Sequence, residues 1–164
     1  MGNGLGFHCK KCHYEYEVRT GIGMRFPIAY REALKSIAAG DYGIELQQLF
    51  NANPLAAING EGIVYICRAC GKWEEGLDPT LYAPDNPEQI LNQQFGEKTV
   101  REWGYVPYVM DYDLKEQYHV IKRIYHKCSH CGKRMHKATN AELETLPCPK
   151  CGEPNRATDF ICWD

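Results

Sequence analysis

The chain lacks any long apolar run. None of its apolar stretches approaches the roughly 18 residues of a membrane-spanning helix, so a helical membrane protein is not expected. Met1–Gly6 has neither a charged n-region nor an apolar h-region, so it does not read as a secretory leader. Met1-Gly2 opens like a myristoylation signal, but Gly6 stands where Ser or Thr is needed. The net charge is only −2, which argues against a generic polyanion binder. There is no His-Glu-x-x-His, no Walker loop and no Gly-x-Ser-x-Gly elbow, and a non-enzymatic protein is therefore expected. Apolar mass is also short. In a chain of 164 residues, two halves of about 80 would each bury a limited core and need staples.

Cysteine is what the chain has in quantity. Eight of its nine cysteines form four Cys-x-x-Cys pairs: Cys9/Cys12, Cys67/Cys70, Cys128/Cys131 and Cys148/Cys151. Thiols this close are poor loop closers as disulfides and good ligands for a tetrahedral ion, most often zinc. A reducing, cytoplasmic setting is expected for such usage. Bound thiolates are deprotonated. Eight of them with two divalent ions lower the net charge by four, from −2 to about −6.

Loop-closure entropy favours pairing the knuckles in chain order. That leaves 54 residues between the first two pairs and 16 between the last two. Nested pairing costs about 2 kcal/mol more on the logarithmic closure law. The expected sites are therefore Cys9, Cys12, Cys67 and Cys70 for one ion, and Cys128, Cys131, Cys148 and Cys151 for the other. The residue after the second cysteine needs positive φ if backbone N–H groups are to face the sulfurs. Gly71, Gly132 and Gly152 supply it without steric cost, and His13 replaces glycine in the first pair.

Strand–Cys-x-x-Cys–strand units of this kind resemble zinc ribbons. Cys148-Pro149-Lys150-Cys151-Gly152 is similar to a rubredoxin-type knuckle, and Cys12-His13-Tyr14 is similar to the Cys-Gly-Tyr of that group. The resemblance covers the knuckles and their flanking strands, about half the chain. It implies structural zinc, and zinc ribbons serve nucleic-acid, ribosomal, transcription and protein-binding roles alike. A rubredoxin-like iron centre would use the same four thiolates to carry one electron. The zinc-deaminase elements also occur, as His13-Tyr14-Glu15 and Pro147–Cys151, but in opposite halves of the chain.

The remaining pattern predicts an α+β fold of two small zinc-ribbon modules, the first interrupted by helices. Tyr14–Val18 alternates like an exposed ribbon strand. Tyr30, Ala33, Leu34, Ile37 and Ala38 form a helical stripe closed by Gly40. Asp41 is placed to cap a second helix carrying Tyr42, Leu46, Leu49 and Phe50, with Asn53-Pro54 stopping it. The helical insertion spans about 27–59. Gly62–Ile66 reads as a strand, Asp78-Pro79 and 83–87 as loop, and 87–95 as a short helix stopped by Gly96. Tyr105–Met110 is at best an edge strand because of Pro107. Residues 117–127 and 157–163 read as strands, and Cys162 as a small buried hydrophobe. The expected boundary gives 1–104 and 105–164 as N- and C-terminal ribbons.

Two partner surfaces suggest themselves. Trp103, Tyr105 and Tyr108 lead an aromatic-rich connector, and such rings are enriched at protein interfaces. Residues 115–137 carry seven Lys/Arg against one acid, Glu116. Lys122, Arg123, Lys127, Lys133 and Arg134 could neutralise phosphates beside Tyr118 and Tyr125. An adaptor contacting a protein is the leading expectation, and a nucleic-acid ribbon the alternative. Five histidines (His8, His119, His126, His130, His136) are possible substitute ligands.

Overall fold

Alternating side chains build the first hairpin. β1 (Gly2–His8) and β2 (Glu15–Gly21) pair antiparallel, with Leu5 opposite Val18 and Phe7 opposite Tyr16. The Phe7 and Tyr16 rings stack at 4.7 Å across the ladder, the cross-strand contact that stabilises a ribbon. These coordinates are a computed structural model that describes residues 2–23 and 26–163.

Next come α1 (Phe26–Ala39) and α2 (Ile44–Ala52), which pack on each other. Tyr30, Ala33, Leu34 and Ile37 are buried as their spacing predicts. Asp41 does not cap α2. Its N–H closes onto the Ser36 carbonyl, and Gly43, at φ 101°, takes the cap position without a side-chain bond. Tyr42 therefore lies outside the helix and exposed, while Leu46 is buried.

β3 (Ala57–Ile66) and β4 (Trp73–Pro84) flank the second knuckle and are neighbours. Of the residues expected as loop, Asp78, Pro79, Ala83 and Pro84 are strand instead. Thr80 donates its N–H to Asp78 Oδ1 at 3.0 Å, and Leu81–Pro84 pair with a later strand. Proline survives in a strand where its missing N–H is not required by a ladder. α3 (Pro87–Leu91) starts under the Asn86 cap and ends four residues earlier than expected. Gln94 and Phe95 turn back as β5 (Gln94–Phe95) against β6 (Lys98–Thr99), and Gly96, at φ 63°, makes the hairpin turn.

α4 (Val100–Trp103) carries a full capping box between Thr99 and Glu102. Residues 105–110 form no strand. α5 (Asp111–Gln117) uses up the residue expected to open the next strand, so β7 (Tyr118–Lys122) is short. β8 (His136–Lys137), α6 (Asn140–Leu143) and β9 (Ala157–Trp163) complete the chain. α6 has a second capping box, Thr139 with Glu142, whose carboxylate is held down at about 2 by the Thr139 N–H, His136 and the Thr139 hydroxyl.

The fold is α+β with antiparallel strands, and its two four-cysteine groups fit two zinc-ribbon-like modules. The division of the chain differs from the expected 1–104 and 105–164. One compact unit comprises residues 1–24, 61–77 and 125–164, and the other 25–60 and 78–124. The boundary at 104/105 falls inside the second unit. Two excursions leave the ribbon strands rather than one, because residues 78–124 form a second helical segment. In the first unit β9 pairs with β1, β1 with β2, and β8 with β3. Phe7, Val18, Val64 and Leu146 form its buried core beside Cys9 and Cys148. In the second unit Tyr30, Leu46, Ile58, Leu81, Ile90 and Val100 are fully buried, and β4 pairs with β7.

Cys162 is exposed rather than buried, because β9 has β1 as its only strand neighbour among the described residues. Leu146 is fully enclosed, and its carbonyl accepts the Tyr16 hydroxyl at 2.9 Å. Leu146→Ala is expected to destabilise the first unit by about 2–5 kcal/mol, read as a lower urea midpoint at unchanged slope.

Candidate metal centres

Each metal knuckle is made by the same local bonds. Cys9 donates its N–H to the Tyr14 carbonyl, and His13 donates to the Cys9 carbonyl. The same two bonds recur as Cys67 to Lys72 with Gly71 to Cys67, and as Cys128 to Lys133 with Gly132 to Cys128. They recur again as Cys148 to Glu153 with Gly152 to Cys148, all eight at 2.8–2.9 Å. This closure turns the chain so that positive φ is needed after the second cysteine. Gly71, Gly132 and Gly152 stand at 70–74°, and His13 at 55° is the only non-glycine in that region among the described residues. The first cysteine of every pair is buried, and the second lies further out.

The pairing of knuckles is nested, not sequential. Cys9, Cys12, Cys148 and Cys151 form one group that could hold a metal ion, and Cys67, Cys70, Cys128 and Cys131 the other. Across the first group the sulfurs of Cys9 and Cys151 are 3.6 Å apart, and those of Cys12 and Cys148 3.7 Å. Across the second, Cys67–Cys131 is 3.5 Å and Cys70–Cys128 is 3.6 Å. A tetrahedron with metal–sulfur bonds of about 2.3 Å has edges of about 3.8 Å, whereas a disulfide closes to about 2.05 Å. All nine cysteines are free thiols, and the two tetrads have the dimensions of ion cages.

Strand pairing explains why closure entropy lost. The β1–β9 ladder, Gly2 opposite Trp163 through Phe7 opposite Ala157, brings the last knuckle beside the first. Ile66 opposite His136 does the same for the middle two. The entropy difference was also smaller than independent loops imply. Once the inner tetrad closes, the outer loop is only the 54 and 16 flanking residues plus the bridge.

The thiols are tuned by their backbone. Cys9 is drawn down to about 6 by N–H groups of Cys12 and Lys11, with the neighbouring sulfurs of Cys12 and Cys151 helping against its burial. At Cys67 burial opposes ionisation, but the Cys70 and Ala69 amides and the sulfurs of Cys131 and Cys70 outweigh it, bringing the thiol to about 7. Burial and neighbouring sulfurs push Cys12 up to about 12. Four clustered thiols cannot all ionise without a cation among them. A metal ion held by the tetrad would supply that cation.

Residues around the cages brace them, and sequence spacing did not indicate these. The Glu74 carboxylate accepts from the Ser129 N–H at 2.8 Å and hydroxyl at 2.7 Å, and lies 2.7 Å from His126 Nε2. It thus ties β4 to the third knuckle. The Tyr65 ring stacks on His126 at 4.4 Å. Trp73 donates its indole N–H to the Pro147 carbonyl at 2.8 Å, linking the strand that leaves the second knuckle to the residue that enters the fourth. Lys11 and Glu153 pair at 3.0 Å between the first and fourth knuckles. None of the histidines joins a tetrad. His8, His119, His126 and His136 face Glu15, Asp85, Glu74 and Glu142.

The candidate basic residues fall in both units. Lys122 and Arg123 belong to the second unit, Lys127, Lys133 and Arg134 to the first. Lys122 is ion-paired with Glu45, and the Arg134 guanidinium lies 3.3 Å over the Tyr125 ring. Lys127 and Arg134 oppose each other in an isolated bridge below the third knuckle, where Lys133 is exposed. The aromatic candidates do gather. Trp103, Tyr105 and Tyr108 line one opening of the second unit, of about 480 Å³, together with Phe95 and Arg31. Arg31 is remote in sequence from the connector, Phe95 lies 8 residues before Trp103, and no periodicity marked either.

No known family, curated protein or solved structure matches the chain. No helix among the described residues is long and apolar enough to cross a membrane.

Paired substitutions test the nesting. Cys9→Ser with Cys151→Ser removes ligands of one tetrad, and one equivalent of bound metal should be lost by atomic emission. Cys9→Ser with Cys67→Ser strikes both tetrads, and both equivalents should fall. Sequential pairing gives the reverse pattern. Separately, His13→Gly relieves a left-handed side chain and should raise stability by up to about 1 kcal/mol, whereas His13→Val should lower it.

Proposed function

We propose that this chain is a non-enzymatic, zinc-stapled binding protein that contacts another protein through Trp103, Tyr105 and Tyr108. The observation that carries the reading is the meeting of these rings at one accessible opening, with Trp103 41% exposed. Large rings at a half-exposed cleft are the side chains that anchor protein interfaces. The metal centres support a scaffold role. Four thiolates fill a tetrahedral ion's coordination and leave no position for an activated water.

Zinc suits both tetrads because a d¹⁰ ion accepts four thiolates without a redox demand. Purified protein should be colourless and contain two zinc equivalents. A red protein that bleaches on reduction identifies the iron electron carrier instead. The nucleic-acid reading ranks behind the protein one, since Lys122 is engaged by Glu45 and Arg134 by Tyr125.

The binding surface is tested by capture from the native cell with tagged protein. Trp103→Ala and Tyr105→Ala should each reduce recovery of the captured protein at least tenfold while two metal equivalents and the circular dichroism spectrum are retained. Undiminished capture removes this surface from the function.

A further inference from the structure

We propose that the groove carrying Trp103, Tyr105 and Tyr108 recognises an extended, proline-containing peptide with an acidic residue beside the proline. This rests on the protein-binding reading above and names the chemistry of the partner.

The groove is built from ring pairs. Phe95 and Tyr108 meet edge-on, with centroids 5.1 Å apart and planes at 82°. Trp103 and Tyr105 meet at 6.0 Å and 67°. Pro27 and Pro107 also line it. The Trp103 indole N–H donates to the Phe95 carbonyl at 3.2 Å, so one pair is fixed to the other before any ligand arrives. Pre-set rings cost little ordering entropy on binding.

Peptide recognition uses a small set of modes, and the walls choose among them. Strand addition needs a free sheet edge. The groove is bordered by α1, the two-residue strand β5, α4 and the irregular stretch after Gly104, so it offers none of useful length. A helix in a groove needs anchors repeated over two or more turns. A polyproline II segment has three residues per turn and no internal hydrogen bonds, and it docks its prolines between aromatic rings. Two fixed ring pairs flanked by prolines match that mode.

Charge supplies the second half. The Arg31 guanidinium lies 5.3 Å over the Tyr105 ring, and the Lys98 ammonium 5.4 Å over the Trp103 ring. Arg31 has no carboxylate partner among the ion pairs of the described residues, whereas Glu32, the acid that lines the opening, is engaged by Lys35 at 2.7 Å, and Lys98 lies outside the lining with Glu102 as a charged neighbour. Arg31 is therefore the cation that the lining offers beside the aromatic floor. A carboxylate beside the docked proline meets Arg31, and a basic flank is repelled.

The test is selection from a random peptide library on the zinc-loaded full chain, followed by anisotropy with labelled peptides. Proline-containing ligands with flanking Asp or Glu are expected. Arg31→Glu, checked for metal content and fold, should weaken them at least tenfold and favour Lys or Arg in their place. Ligands that are helical, proline-free or basic overturn the inference, as does affinity unchanged by Arg31→Glu. Failure of every peptide, with capture of the native protein still lost in Trp103→Ala, overturns the inference alone. Capture unaffected by Trp103→Ala overturns the protein-binding reading with it.

Discussion

Mutual repulsion among four crowded thiols sets the terms for this molecule. Each tetrad brings its sulfurs to within about 4.8 Å of one another in partly buried surroundings, where a full set of thiolates has no counter-charge. A metal ion inserted there couples its binding free energy directly to folding, on the order of 10 kcal/mol or more per structural site. The apolar core of the first unit is small, and Leu146, Val18 and Phe7 pack against the cysteines themselves. Core and cage are thus one construction.

Nesting gives that construction its reach. The outer tetrad joins knuckles at the two ends of the chain, and the inner one joins knuckles near its middle. Residues 25–60 and 78–124, which make up the second unit, are two excursions of the chain between those knuckles, and they bury a core of their own around Tyr30, Leu81 and Val100.

The local grammar was legible in one dimension. Cys-x-x-Cys followed by glycine dictates a knuckle, since the bonds that close it run over five residues. Tyr30, Ala33, Leu34 and Ile37 dictated a helix with a buried face for the same reason of short range. Misreadings came where two local signals competed. Asp41 looked like a cap, but its N–H finishes α1. Gly96 looked like a helix stop, but its positive φ serves a hairpin. Asp78-Pro79 looked like a loop, but it lies in β4, where Asp78 takes the Thr80 N–H.

The sequence by itself determined the four knuckles, their ligand atoms and the mixed helix-and-strand character, because each follows from bonds within a few residues. Tertiary structure alone decided which knuckles come together, how the chain divides, and that Phe95 and Arg31 join Trp103 and Tyr105 at one opening. Those outcomes depend on strand ladders and packing between residues far apart in the chain. Their energies exceed the modest entropy of loop closure, the one long-range term that spacing alone discloses.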